Sequence, residues 1–161
     1  MDEPKQPDSE RGKPDSFEFS SRHLRTVDKG RMSLPPEWRK PGCPTEFALL
    51  PWPLWDPQYL LALPPLRWET MRRNIVPESL SDERGMELQR LVHAKVTHRT
   101  LDDYGRLPLP EEAVKKFALD QQVLLIGMDD KFEIWPAPAG DQAISNLDPI
   151  TIKTYVTNKK L

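Results

Sequence analysis

Only one cysteine, Cys43, occurs in the 161 residues. A lone thiol excludes an intramolecular disulfide and a thiolate metal cluster. Glycine is scarce, with seven residues, and none of them builds a Gly-rich phosphate loop. The three histidines, His23, His93 and His98, show no metal-ligand spacing with one another or with Cys43. No nucleophile–base set is visible. Together these absences argue against an enzyme and against any metal, cofactor or small-molecule substrate. No apolar run approaches the roughly 18 residues that a membrane span needs. The apolar stretches 47–55 and 60–66 are cut by Pro51, Pro53, Pro64 and Pro65. The opening Met-Asp-Glu-Pro lacks the apolar core of a signal peptide. The expectation is a soluble cytoplasmic protein in a reducing compartment, with no membrane partner. A large charge imbalance is also missing: the formal net charge is −2. A near-neutral chain weighs against nucleic-acid binding unless positive charge is concentrated locally.

It is concentrated. Between residues 19 and 40 stand Arg22, Arg25, Lys29, Arg31, Arg39 and Lys40, opposed there only by Asp28 and Glu37. Proline is abundant, with 18 residues, which favours extended segments and sharply ended elements over long helices. The length suits one compact domain, or two small halves sharing a core.

The most informative positive feature is a repeat. Residues 25–35 read Arg-Thr-Val-Asp-Lys-Gly-Arg-Met-Ser-Leu-Pro, and residues 99–110 read Arg-Thr-Leu-Asp-Asp-Tyr-Gly-Arg-Leu-Pro-Leu-Pro. Gly30-Arg31 matches Gly105-Arg106, and Leu34-Pro35 matches Leu109-Pro110, both at an offset of 75. Arg25-Thr26 matches Arg99-Thr100 at an offset of 74, so the first turn is one residue shorter. Internal repetition constrains the whole architecture. It predicts one structural unit built twice, two basic turns, and a pseudo-two-fold axis between them.

Residues 1–16 hold no apolar residue after Met1 and are predicted to be disordered. Phe17 and Phe19 alternate with Glu18. Residues 24–34 predict strand, turn and strand, with Gly30 at positive φ. Pro35 to Arg39 predicts a short helix, and 45–50 and 59–63 predict two strands. Helices are expected over 66–74 and 81–93, the second capped by Ser81, with Leu80 packing back onto it. Val96 to Leu109 repeats strand–turn–strand. A helix follows at 110–119, with acids first and lysines later, as the helix dipole favours. A hairpin spans 123–127 and 131–135, and the tail predicts a strand over 150–156. A unit this small cannot close a core alone. Two units interleaving their strands would make one small barrel.

In this order, the motifs resemble the MraZ family of bacterial transcriptional regulators over roughly residues 19–140. The second half is the closer match. Leu101-Asp102-Asp103-Tyr104-Gly105-Arg106 resembles the family's Asp-x-x-x-Arg signature, followed by Leu-Pro-Leu-Pro and a helix. The stretch from Gln122 to Trp135 resembles its hairpin ending in Phe-Glu-x-Trp, and Leu61 to Trp68 resembles its apolar–Pro–Trp stretch. The resemblance implies an α+β, mainly β fold. Two AbrB-like strand-turn-strand-helix units would form a pseudo-two-fold swapped-hairpin barrel. The division is a leader at 1–16, a first unit at 17–64, a helical connection at 65–95, a second unit at 96–140 and a tail at 141–161. It further implies binding of double-stranded DNA at repeated boxes, assembly into a ring-like homo-oligomer and a place at the nucleoid. The implied role is regulation of the division and cell-wall gene cluster. The alternative is an antitoxin-like protein-interaction module, carried by the Pro/Trp-rich segment 51–57 and the acidic leader.

The candidate DNA-binding residues are Arg25, Lys29, Arg31, Arg99 and Arg106, with Asp28 and Asp102 supporting the turns. A turn aspartate accepts backbone N–H bonds two or three residues on. It also pairs with a nearby arginine and fixes where that guanidinium points, which suits bidentate contact with phosphate or a guanine edge. Arg25 and Arg99 either share the face of Arg31 and Arg106 or pair with acids across a strand. Arg22 and His23 extend the first patch. Trp38, Trp68 and Trp135 are expected in the core, and Trp52 and Trp55 at a subunit contact. The first turn departs from the family pattern, because Val27 stands four residues before Arg31 and Asp28 only three. Either Asp28 takes the usual role in a tighter turn, or that role is lost. The second outcome is favoured, because a one-residue shift re-aims a side chain.

Overall fold

The computed structural model describes residues 17–159. The leader 1–16 lies outside the described residues. The eight strands are β1 (Arg22–Thr26), β2 (Arg31–Ser33), β3 (Glu46–Trp52), β4 (Tyr59–Leu63), β5 (Thr97–Thr100), β6 (Arg106–Pro108), β7 (Gln122–Gly127) and β8 (Phe132–Pro136). The helices are α1 (Pro65–Asn74), α2 (Glu83–Lys95), α3 (Glu111–Phe117), α4 (Ala137–Ser145) and α5 (Pro149–Lys159), with a 3-10 turn at Pro36–Trp38. The fold is α+β and mainly β.

Six strands form one antiparallel sheet in the order β1-β7-β8-β4-β3-β5, and β2 pairs with β6 in a separate two-stranded ribbon. The repeat explains this order. Exchanging β1 with β5, β3 with β7 and β4 with β8 reads the same sheet backwards. At the sheet centre Leu61 lies opposite Glu133, and at the ribbon centre Met32 lies opposite Leu107. The Leu34 N–H donates to the Gly105 carbonyl at 3.1 Å, and the Leu109 N–H donates to the Gly30 carbonyl at 2.7 Å. These two bonds are images of each other under the 75-residue offset. A pseudo-two-fold axis therefore passes through the Met32–Leu107 pair. The halves exchange strands, since β1 pairs with β7 and β5 with β3. Neither half completes the sheet by itself.

The expected barrel is not closed. The three-residue β2 and β6 hydrogen-bond to each other rather than linking β1 round to β5. The sheet therefore stays open, with β1 and β5 as its edges.

One core fills the space between sheet and ribbon. At its centre Phe132 meets Phe19 and Phe47 edge-on, each at 5.2 Å between ring centroids, and Trp38 at 4.9 Å. Edge-to-face packing of this kind satisfies the ring quadrupoles. Met32, Leu34, Leu107 and Leu109 close the core from the ribbon side. Strand periodicity then decides where the ribbon's charges go. With Met32 and Leu107 inward, their neighbours Arg31 and Arg106 turn outward. On the far side of the sheet, Leu50, Leu54 and Val92 pack with Trp68, Met71 and Ile75 from α1 and the turn after it. Trp38 and Trp135 are buried as expected, whereas Trp68 is half-buried. Trp135 stacks on Tyr59 at 4.4 Å and donates Nε1–H to Glu133. Burial and the adjacent Glu133 carboxylate push the Tyr59 hydroxyl well above the usual phenol range.

Three local expectations are corrected. The cap of α2 is Asp82, whose carboxylate accepts the Gly85 N–H at 3.0 Å, rather than Ser81. Leu80 does not pack back on that helix but stands 88% exposed. The tail segment 150–156 is helical within α5 and not a strand. Asp148 accepts the Ile150 N–H and the Thr151 hydroxyl, and Pro149 pre-sets the first turn. These starting signals outweigh the β-branched run of Ile150, Thr151 and Ile152. An unexpected helix, α4, covers β7 and β8.

Candidate nucleic-acid interface

The two repeated turns sit at opposite ends of the β2–β6 ribbon and solve the same problem differently. In the first, Asp28 and Arg31 exchange backbone bonds: the Asp28 N–H donates to Arg31 at 2.9 Å and the Arg31 N–H to Asp28 at 3.1 Å. Lys29 and Gly30 between them have φ of 55° and 76°. Positive φ at both central residues is the type I′ hairpin, which matches strand twist. The Arg31 N–H is spent on the Asp28 carbonyl. Among the described residues, the Asp28 carboxylate meets no hydrogen-bond donor.

The second turn carries one more residue and becomes a three-residue loop from Asp102 to Arg106, with Gly105 at φ 76° in the bulge position. The Asp102 carbonyl now takes the Gly105 N–H at 3.0 Å. That frees other donors for the carboxylate. Asp102 Oδ1 accepts the backbone N–H groups of Tyr104 and Arg106, both at 2.9 Å, and Oδ2 accepts Arg106 Nε–H at 2.8 Å. Across the ribbon, Arg31 Nη1 lies 3.6 Å from the same Oδ2. One aspartate thus stands between both turn arginines.

The Arg106 N–H, above all, holds the Asp102 carboxyl below its usual range. Partial desolvation opposes this, and the Arg106 guanidinium and Tyr104 N–H reinforce it. A depressed carboxyl stabilises the turn above its unfolded value, and that contribution is lost as pH falls through the folded value. In a carbon-detected titration, the Asp102 carboxyl is expected to protonate below the usual aspartate range, with the Arg106 Nε–H resonance exchanging faster at the same point. An Asp102 carboxyl that titrates within the usual aspartate range would mean that the clamp is not formed.

The remaining expected site residues are dispersed. Lys29 is exposed at the first tip. Arg25 lies against the ribbon, its Nε–H donating to the Ser33 carbonyl at 3.1 Å and its Nη1 to Leu24 at 2.9 Å. Arg99 donates to the His98 carbonyl at 3.1 Å and lines a cleft with Lys116 and Phe117 of α3. Neither arginine forms an ion pair with an acid among the described residues. Arg22 pairs with Asp141 at 3.2 Å, and His23 packs edge-on against Trp38 at 5.1 Å. Both are thus occupied within the fold. Among the described residues, no group of three or more His, Cys, Asp or Glu side chains is placed to hold a metal ion. No helix there is long and apolar enough to cross a membrane.

Two residues beyond the expected set belong to this surface. Arg39, which follows the 3-10 turn of the first half, lies over the second turn: a Cβ on Gly105 would fall 2.5 Å from its Cδ. Its Nε–H donates to Leu34 at 3.0 Å. Nothing in the linear sequence signals this contact, because it joins opposite halves of the chain. Tyr104 stands 76% exposed at the tip of the second turn, with the Arg106 guanidinium 5.2 Å from its ring centroid. The signal for it was present as the residue that the first turn lacks.

Residues 93–151 match the family described as "MraZ protein, putative antitoxin-like". Similar proteins named "Transcriptional regulator MraZ" include that of Methylococcus capsulatus, 32% identical over 111 residues, covering 67% of this chain and 71% of its own. The protein of that name from Thioalkalivibrio sulfidiphilus is 32% identical over 113 residues, covering 70% and 75%. That from Alkalilimnicola ehrlichii is 30% identical over 125 residues, covering 75% and 81%.

Proposed function

The chain belongs to the MraZ family, and from that premise we propose that it is a transcriptional regulator binding double-stranded DNA sequence-specifically through its two basic turns. The observation that carries this reading is the ribbon. Met32 and Leu107 anchor it in the core, so Arg31 and Arg106 point to solvent from its two ends, with Asp102 between them. A two-stranded antiparallel ribbon fits the major groove, and an arginine held by an aspartate presents a directed fork to a guanine edge or phosphate. Lys29 supplies a mobile charge beside them, and Arg25 and Arg99 flank the turns.

The near-neutral charge limits what one chain can do on DNA. A ring-like homo-oligomer that engages repeated boxes would multiply a modest patch into a strong one. On this reading the protein acts in the cytoplasm at the nucleoid, on the division and cell-wall gene cluster. The exchanged pairing of β1 with β7 and β5 with β3 supports a swapped-hairpin unit as the common ancestor of both halves.

Arg31→Ala and Arg106→Ala should each weaken binding to the protein's upstream DNA by about fivefold or more at fixed salt, the low end of a bidentate contact. Their circular dichroism and melting temperature should match the parent, since both side chains are substantially exposed. Retained binding in both variants would show that the DNA face lies elsewhere. Trp55, 82% exposed in the Pro/Trp-rich segment, favours one second reading, a protein-interaction module of antitoxin-like kind. That reading predicts no salt-dependent gel shift on any duplex.

A further inference from the structure

Resting on the DNA-binding reading, we infer that the two turns divide the work: the first binds phosphate without regard to sequence, and Tyr104 of the second determines base preference. The turns are chemically opposite. Lys29 and Arg31 outnumber Asp28 in the first, whereas Asp102 and Asp103 outnumber Arg106 in the second. A turn with more acid than base is poorly suited to gripping a polyanion. It is well suited to holding one cation in a defined direction. The Asp102 carboxylate binds Nε of Arg106 and leaves the outer nitrogens of the guanidinium uncommitted. The Tyr104 ring braces the same guanidinium at 5.2 Å, within cation–π range.

Tyr104 itself is fixed at its backbone, where its N–H donates to Asp102 Oδ1 at 2.9 Å, while most of its side chain faces solvent. An exposed aromatic ring with a restrained neighbour offers an apolar surface to a groove floor. The first turn has no counterpart. Its type I′ geometry has room only for Lys29 and Gly30, and nothing lies within 4 Å of the position a Gly30 Cβ would take. The extra residue of the second turn is therefore what converts a charged tip into a directed one.

The test uses the full chain and two probes: a duplex pool enriched by wild-type protein from random sequence, and the unenriched pool. Binding is titrated for each at several salt concentrations. Tyr104→Ala should reduce the ratio of enriched to unenriched affinity by about fivefold or more, with the salt slope unchanged. Tyr104→Phe should keep the ratio within about twofold, because the ring makes the brace. Lys29→Ala should weaken both pools together and lower the salt slope by about one. An unchanged ratio in Tyr104→Ala, or a changed ratio in Lys29→Ala, overturns the division of labour while leaving DNA binding intact. Failure of the wild type to bind either pool removes the DNA reading and this inference with it.

Discussion

Asp102→Ala is expected to reduce affinity for the preferred DNA by about tenfold, whereas Asp28→Ala should leave it within about twofold. The difference comes from the number of groups each carboxylate holds. Asp102 accepts two backbone N–H bonds and one guanidinium bond, and stands 3.6 Å from a second guanidinium. Asp28 holds none of these. Charge-assisted bonds are the stronger kind, and solvent exposure lowers their value here. Removing a carboxylate also removes negative charge facing the DNA, so non-specific affinity should hold or rise. Affinity for preferred DNA should fall because Arg106 and Arg31 are both released. Asp102→Asn keeps an oxygen for the N–H groups and should lie between the parent and Asp102→Ala. All titrations must share one salt concentration. Equal losses in Asp28→Ala and Asp102→Ala would restore two equivalent turns.

Phe132→Ala should be the most destabilising of the single truncations considered. The side chain is fully buried and contacts Phe19, Trp38 and Phe47 at the centre of the core. Truncating a buried phenylalanine costs about 3–5 kcal/mol, through lost transfer energy and the cavity left behind. For a chain of this size that lowers the melting temperature by roughly 10 °C. Leu80→Ala serves as the contrast. At 88% exposure it has nothing to lose, and its effect should stay within about 0.5 kcal/mol. Thermal melts followed by circular dichroism read both. A large loss at Leu80 would restore the packing contact with α2 that the structure lacks. A small loss at Phe132 would contradict the aromatic core.

What the sequence determined by itself is local or repeated. The duplicated phrase, with its offsets of 75 and 74, specified two related units, a pseudo-two-fold axis and a shortened first turn. Gly30 marked a positive-φ position because few other residues tolerate it, and Gly105 proves to be its counterpart. Short apolar runs marked β3, β4 and β7, and proline and acidic residues marked the start of α3. The arginines ending each turn were legible from the same repeat. Where two local signals competed, the reading failed: the β-branched tail looked like a strand until Asp148 and Pro149 started a helix, and Ser81 was preferred over Asp82 as a cap.

How the halves join is set by long-range packing. Strand exchange, the open edge at β1 and β5, and the separate ribbon depend on register between segments far apart in the chain. No local propensity encodes that register. The same holds for the site. Asp102 reaches Arg31 and Arg39 covers Gly105 because the ribbon lays one half's turn against the other half's strand. That the Asp28 carboxylate holds no turn donor among the described residues also became clear only in three dimensions. A two-residue turn spends the Arg31 N–H on a backbone carbonyl, while one added residue frees the Arg106 N–H for the Asp102 carboxylate.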